Sequence, residues 1–201
     1  MKNKILVLFL ISSFVFLSCA KEEIRNINST GKNIICFGNS ITAGYGLNKE
    51  EAYPYLLEKM LNFPVINAGL DGDTTAEALK RLSSDVLEKD PYLVIIELGG
   101  NDFLNRVPLG VTLNNMEKII QQIQDKGAIV ALCDISIGPI MADYHQGYKN
   151  LSKKYKTIFI PHLLSGILTQ PELKTDYIHP NAQGQKLIFQ RIYQAIRNYL
   201  K

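Results

Sequence analysis

Five short apolar runs alternate with five segments of helical periodicity between residues 33 and 201. Few folds accept that alternation. The runs are NIICFG (33–38), PVINAG (64–69), YLVIIELGG (92–100), AIVALCDI (128–135) and TIFIP (157–161). The third is almost unbroken in apolar residues, which is how a strand covered on both faces reads. Residues 53–61, 74–89, 111–126, 142–155 and 181–200 carry helical spacing. Ala78, Leu82 and Val86 form one stripe, Leu113, Met116, Ile120 and Ile123 another, and Ile188, Ile192 and Ile196 a third. Thr74 and Glu77 fit a capping box, which marks a helix start. Parallel strands need such crossovers, and the crossovers are right-handed. The expected product is a three-layer α/β/α sandwich around a five-stranded parallel sheet of flavodoxin-like order 2-1-3-4-5. With 46% hydrophobic residues in 201, one full core is available for residues 33–201.

The N-terminus does not belong to this pattern. Lys2 and Lys4 precede an apolar stretch from Ile5 to Leu17, followed by Ser18 and Cys19. A positive start, a greasy middle and a small residue describe an export signal. The stretch is too short to cross a bilayer, which takes about 20 residues. Two readings follow: a plain signal peptide, or a bacterial lipoprotein signal over 1–18 cleaved before Cys19. We expect the second, with Cys19 lipidated and the protein held on a membrane of the cell envelope. A secreted or periplasmic soluble form is the alternative. Residues 19–32 are polar and aperiodic, and read as a tether.

Without residues 1–18 the charges almost balance, since that segment holds two of the 22 basic residues and none of the 19 acids. No clustered positive face is legible, so no nucleic-acid partner is expected. Cys36 and Cys133 lie in apolar runs and read as core thiols. The sheet order puts a strand between them, about 10 Å of separation, too far for a disulfide.

In a doubly wound sheet, ligands sit beyond the carboxyl ends of the strands, where the winding direction switches. Four polar segments fall on that rim. Ser40 follows the first strand, Gly72 the second and Asn101 the third, while Asp176 and His179 precede the last helix. Each residue has an ordinary explanation as a turn or cap former. Together they have a chemical one. A serine hydroxyl needs a base, histidine suits that role, and a carboxylate holds the imidazole. The Ser40 and Gly72 N–H groups and the Asn101 amide could face an oxyanion. His162 with Asp134 is a rival base and orienter near the same edge. His145 reads as a surface or packing residue. Glu97 is a lone charge ending an apolar strand, with hydrogen bonds to neighbouring loops as its expected use.

The blocks FGNSITAGYGL, NAGLDGDTTAEALKRL, IIELGGND and DYIHPNAQG resemble, in order and spacing, those of the SGNH/GDSL hydrolase family. The nearest branch is the lysophospholipase, acyl-thioesterase I and arylesterase-like group, and the likeness covers about 33–201. It implies a serine esterase with Ser40 as nucleophile, Asp176 and His179 completing the triad, and Ser40, Gly72 and Asn101 as the oxyanion hole. It implies no metal and no organic cofactor. The implied partner is a small-molecule acyl ester or lipid; oligomeric state stays open. One position departs: Asn39 stands where the family usually has aspartate. A carbohydrate acetylesterase of the same family, a non-catalytic surface lipoprotein and a flavodoxin-like anion binder are the competing readings. Loops 103–110 and 135–143 are apolar enough to line an acyl groove.

Overall fold

The computed structural model describes residues 23–61 and 63–201. The expected signal peptide at 1–18 and Cys19 lie outside the described residues. Five strands form one parallel sheet: β1 (Asn33–Gly38), β2 (Val65–Gly69), β3 (Pro91–Glu97), β4 (Ile129–Cys133) and β5 (Ile158–Ile160). Their order is β2-β1-β3-β4-β5, as the alternation predicts. β3 is buried along its whole length.

Side chains alternate across the sheet. Ile35, Phe37, Val94, Ile96, Val130 and Leu132 face one layer, and Ile34, Cys36, Leu93, Ile95, Ile129 and Ala131 face the other. The first layer comprises α3 (Thr75–Leu82), α5 (Leu109–Asp125) and α6 (Ala142–Tyr155). The second contains α2 (Tyr53–Met60) and α7 (Ala182–Ile196). Two short helices, α1 (Ser40–Ala43) and α4 (Gly100–Leu104), lie at the carboxyl rim. The stripes Ala78/Leu82/Val86 and Ile188/Ile192/Ile196 are fully covered. Cys36 and Cys133 are free and buried, with β3 between their strands.

Three expectations change. The helix expected at 74–89 keeps its Thr74–Glu77 capping box but loosens into a π-turn over Ser83–Leu87, closed by Glu88 N–H on Ser83 O at 3.0 Å. The third strand stops at Glu97 because Gly99, at φ 100°, turns the chain into α4. A Cβ on Gly99 would meet the Tyr148 hydroxyl. The tether, expected through residue 32, is docked from about Ile24 onward. Arg25 N–H donates to Lys156 O at 3.0 Å, and the Asn26 amide donates to Gln124 O and Ala128 O. These partners sit at the amino ends of β4 and β5, opposite the rim that carries α1 and α4. Polar composition fits docking here because the side chains satisfy exposed helix-end carbonyls.

Candidate active site

β1 ends at Gly38, and the chain enters α1 with Asn39 as N-cap and Ser40 as first helical residue. The Asn39 side-chain oxygen accepts from Ile41 N–H at 2.9 Å, which fixes the turn that presents Ser40. Its amide donates to Glu97 Oε1 at 3.1 Å, and Thr42 Oγ1 donates to Glu97 Oε2 at 3.0 Å. Glu97, fully buried at the end of β3, is the brace under the serine turn. This gives Asn39 a physical reason. An amide can donate to Glu97, whereas an aspartate there would set a second carboxylate against it.

Burial pushes the Glu97 carboxyl up to about 7, against the hydrogen bonds from Thr42 and Asn39, which pull it down. A folded-state value above the unfolded one means the unfolded chain releases its proton first. Glu97 therefore contributes stability at low pH that is lost as pH rises from about 4.5 to about 7, by a few kcal/mol. Denaturant titrations across pH 4–8 should show that slope in the wild type and not in Glu97→Gln. A wild-type curve as flat as the variant's would remove this account of Glu97.

The second half of the site comes from the loop before α7. Thr175 N–H donates to His179 O, and Asn181 caps α7 while its amide donates back to Glu172 O at 2.8 Å. The loop is thereby folded tightly enough to aim one ring. His179 Nδ1 lies 2.7 Å from Asp176 Oδ2, and Nε2 lies 2.9 Å from Ser40 Oγ. Asp176 Oδ1 accepts the Ile178 and His179 N–H groups, each at 2.9 Å. The His179 hydrogen bond and those two N–H groups hold the Asp176 carboxyl down at about 2. An ionised carboxylate only accepts, so Nδ1 carries the ring proton and Nε2 is left to accept from the serine hydroxyl. Tyr45 covers the ring with centroids 4.5 Å apart.

Of the expected site residues, Ser40, His179 and Asp176 are joined by hydrogen bonds. Asn101, on α4, lines a cavity beside Ser40. Its amide donates to Asp73 O at 2.9 Å, which leaves one N–H unspent. That bond ties α4 to the turn holding Gly72, at φ 78°, where an added Cβ would meet nothing. Gly72 borders the turn and does not line the cavity; its N–H donates to no protein group among the described residues. His162 and Asp134 do not reach Ser40, whose imidazole partner is His179. His145, partly buried, also has a partner: its Nδ1 lies 2.7 Å from Asp134 Oδ2. Burial works against the Asp134 charge, but hydrogen bonds from His145 and Ser136 outweigh it and keep that carboxyl below its usual range.

Three positioning residues were not legible in the sequence. Gln185, 1% exposed on α7, accepts from Tyr53 N–H at 3.0 Å and donates to Ile41 O at 2.8 Å. It locks the helix behind His179 to the helix of Ser40. Asp102 accepts from Thr75 N–H and Oγ1 and from Thr112, joining α4 to α3. Arg81 reaches Gly38 O, Ala68 O and Asp73 Oδ2, tying two strand ends to the Gly72 turn. A glutamine, an aspartate and an arginine on amphipathic helices give no local signal of such long-range bonds.

Beside Ser40 lies a cavity of about 90 Å³. Phe103, Leu104, Ile135, Ile137 and Met141 line it from the two loops expected to do so. Ile178, between Asp176 and His179, adds to it, and Leu164 and Leu168 complete it from a segment the sequence did not flag. The larger recess of about 760 Å³ lies against residues 23–30 and holds none of these groups.

A parallel five-stranded sheet of order 2-1-3-4-5, with a serine, a histidine and an aspartate joined at its carboxyl rim, is the SGNH hydrolase fold. The chain belongs to the GDSL-like lipase/acylhydrolase family, whose profile matches residues 36–187. It is 30% identical to an arylesterase of Vibrio mimicus over 86% of this chain and 92% of that one. It is 28% identical to thioesterase 1/protease 1/lysophospholipase L1 of Escherichia coli K12, over 77% and 78% of the two chains. The crystal structure of TesA superposes with a TM-score of 0.80 at 30% identity, covering 84% of this chain and 99% of that one. The protein is an ester hydrolase of this family.

Proposed function

We propose that the protein cleaves apolar acyl esters through an acyl-enzyme, with Ser40 as nucleophile, His179 as base and Asp176 as its orienter. The hydrogen-bonded run Ser40–His179–Asp176 carries this reading. The Ser40 proton passes to His179 Nε2 as Oγ adds to the carbonyl carbon. The oxyanion is held by the Ser40 and Gly72 N–H groups and the free N–H of Asn101. Collapse expels the alcohol, which takes the proton from His179, and water repeats the sequence to free the acid.

The cavity supports a short acyl group. It is small, at about 90 Å³. At its mouth Leu104 and Ile178 are exposed, so a longer chain would lie over half-wet surface. Each methylene buried adds about 0.8 kcal/mol, roughly fourfold in rate. Across p-nitrophenyl esters, kcat/KM should climb at about that factor from C2 to about C4 and then flatten. A maximum at C2 with a steep fall would favour the carbohydrate acetylesterase. Of the relatives' named activities, aryl ester and thioester cleavage fit this cavity directly; a lysophospholipid must use the rim.

Cys19 as a lipidated anchor belongs to the same proposal. It precedes Arg25 by six residues, at most about 20 Å of chain. Arg25 is fastened at the edge opposite Ser40, so an anchored domain turns its catalytic rim away from the membrane that holds it. Among the described residues no helix is long and apolar enough to cross a membrane. Unchanged fatty-acid labelling in Cys19→Ala would refute the anchor.

A further inference from the structure

Two of the chain's three histidines take no part in the Ser40 constellation, and both stand over one carboxylate. Asp134 leaves the end of β4, His145 projects from the first turn of α6, and His162 follows β5. His145 Nδ1 is 2.7 Å and His162 Nδ1 3.4 Å from the same Asp134 Oδ2. The two rings stack nearly parallel, 5° apart, with centroids 4.6 Å apart. One potential ligand atom from each residue lies within 4.8 Å of the others. Asp134 is 1% exposed, His145 26% and His162 57%, and a recess of about 500 Å³ opens beside both rings.

We propose that Asp134, His145 and His162 form a zinc site that clips the 135–141 loop to the 162–168 segment, both of which wall the acyl cavity. Two imidazoles and a carboxylate, with the fourth position open to water, are a donor set that zinc takes. Bonds of 2.0–2.2 Å in tetrahedral array put ligand atoms about 3.4 Å apart. The His162–Asp134 pair already has that spacing. The His145–Asp134 pair has to open by less than 1 Å, with the rings tilting out of their stack, and His162 is exposed enough to do so. The ion takes the place of the Nδ1 hydrogen on His145, whose neutral ring then carries its hydrogen on Nε2. Asp134 also keeps its backbone partners, since Oδ1 accepts from Ser136 N–H and Oδ2 from His162 N–H. Those two N–H groups stand at the start of the segments that supply Ile137 and Met141 on one side and Leu164 and Leu168 on the other. An ion here would therefore fix the cavity wall from behind without touching Ser40. The family resemblance implies no metal; this site stands on residues outside the family's blocks.

The test uses the full chain, freed of metal by chelation and dialysed against zinc alone. We expect one equivalent retained. His162→Ala, which removes an exposed ligand and spares the buried carboxylate, should lower affinity at least about 100-fold, the upper end of what losing a mere ligand support costs. His179→Ala should keep the equivalent. Zinc should slow amide hydrogen exchange in 135–141 and 162–168 in the wild type and not in His162→Ala. No retention above the His162→Ala level overturns the site. Retention lost in His179→Ala but kept in His162→Ala places the ion at the catalytic histidine and overturns it equally.

Discussion

Ser40→Ala should lower kcat on a short-chain ester by roughly 10⁴ or more and leave the protein folded. The size follows from what the hydroxyl does. In the proposed mechanism no acyl-enzyme forms without Oγ, and only binding and the oxyanion donors would remain to assist water, a residual worth about 10³–10⁴ over the uncatalysed reaction. The structural cost is small by comparison. The substitution removes one hydrogen bond, to His179, worth about 1 kcal/mol. Asn39 still caps α1, because its oxygen bonds to the Ile41 backbone and not to the serine. Melting temperature and circular dichroism should therefore match the wild type while turnover and covalent fluorophosphonate labelling vanish together. Asn101→Ala should cost less, about 10²–10³, since it deletes one oxyanion donor of three. Turnover surviving in Ser40→Ala would move the nucleophile elsewhere and end the proposed mechanism.

The fold was legible because its signals are local and repeated. An unbroken apolar run such as YLVIIE can be covered only from both faces, and helices between such runs dictate parallel crossovers. Ser40, Asn101 and His179 were legible for a related reason: each lies beside a strand end or a helix start, and the sheet order brings those points to one rim. What escaped notice is bonding across distance. Gln185 meets Tyr53 and Ile41 over more than 130 residues, and nothing near Gln185 in sequence announces it. The His145–Asp134 pair is hidden for the same reason, as Asp134 lies on the neighbouring strand end and not on the helix of His145. The turn at Gly99 was missed because an apolar run followed by two glycines does not say which glycine bends. The docking of residues 24–32 was hidden because a polar segment that satisfies helix-end carbonyls has the same composition as one that floats free.

His179→Ala is the second large effect, also roughly 10⁴ or more, and its value lies in how it combines with the first. If Ser40 and His179 act as one unit, the double variant Ser40→Ala/His179→Ala is no slower than either single variant, because the second deletion has nothing left to impair. Independent contributions would multiply instead, to about 10⁸. Asp176→Asn should fall below both in severity, at about 10³–10⁴, since it leaves the base in place and disturbs only its hydrogen pattern. The pH dependence separates the partners further. Asp176 is held ionised down to about pH 2 by His179 and by the Ile178 and His179 N–H groups, so activity lost on acidification well above that value cannot come from the carboxylate. Rates of the two single variants and the double, measured on one ester across pH 4–9, decide the matter. A double variant far slower than either single one would mean that the imidazole and the hydroxyl work apart, whatever the distance between them.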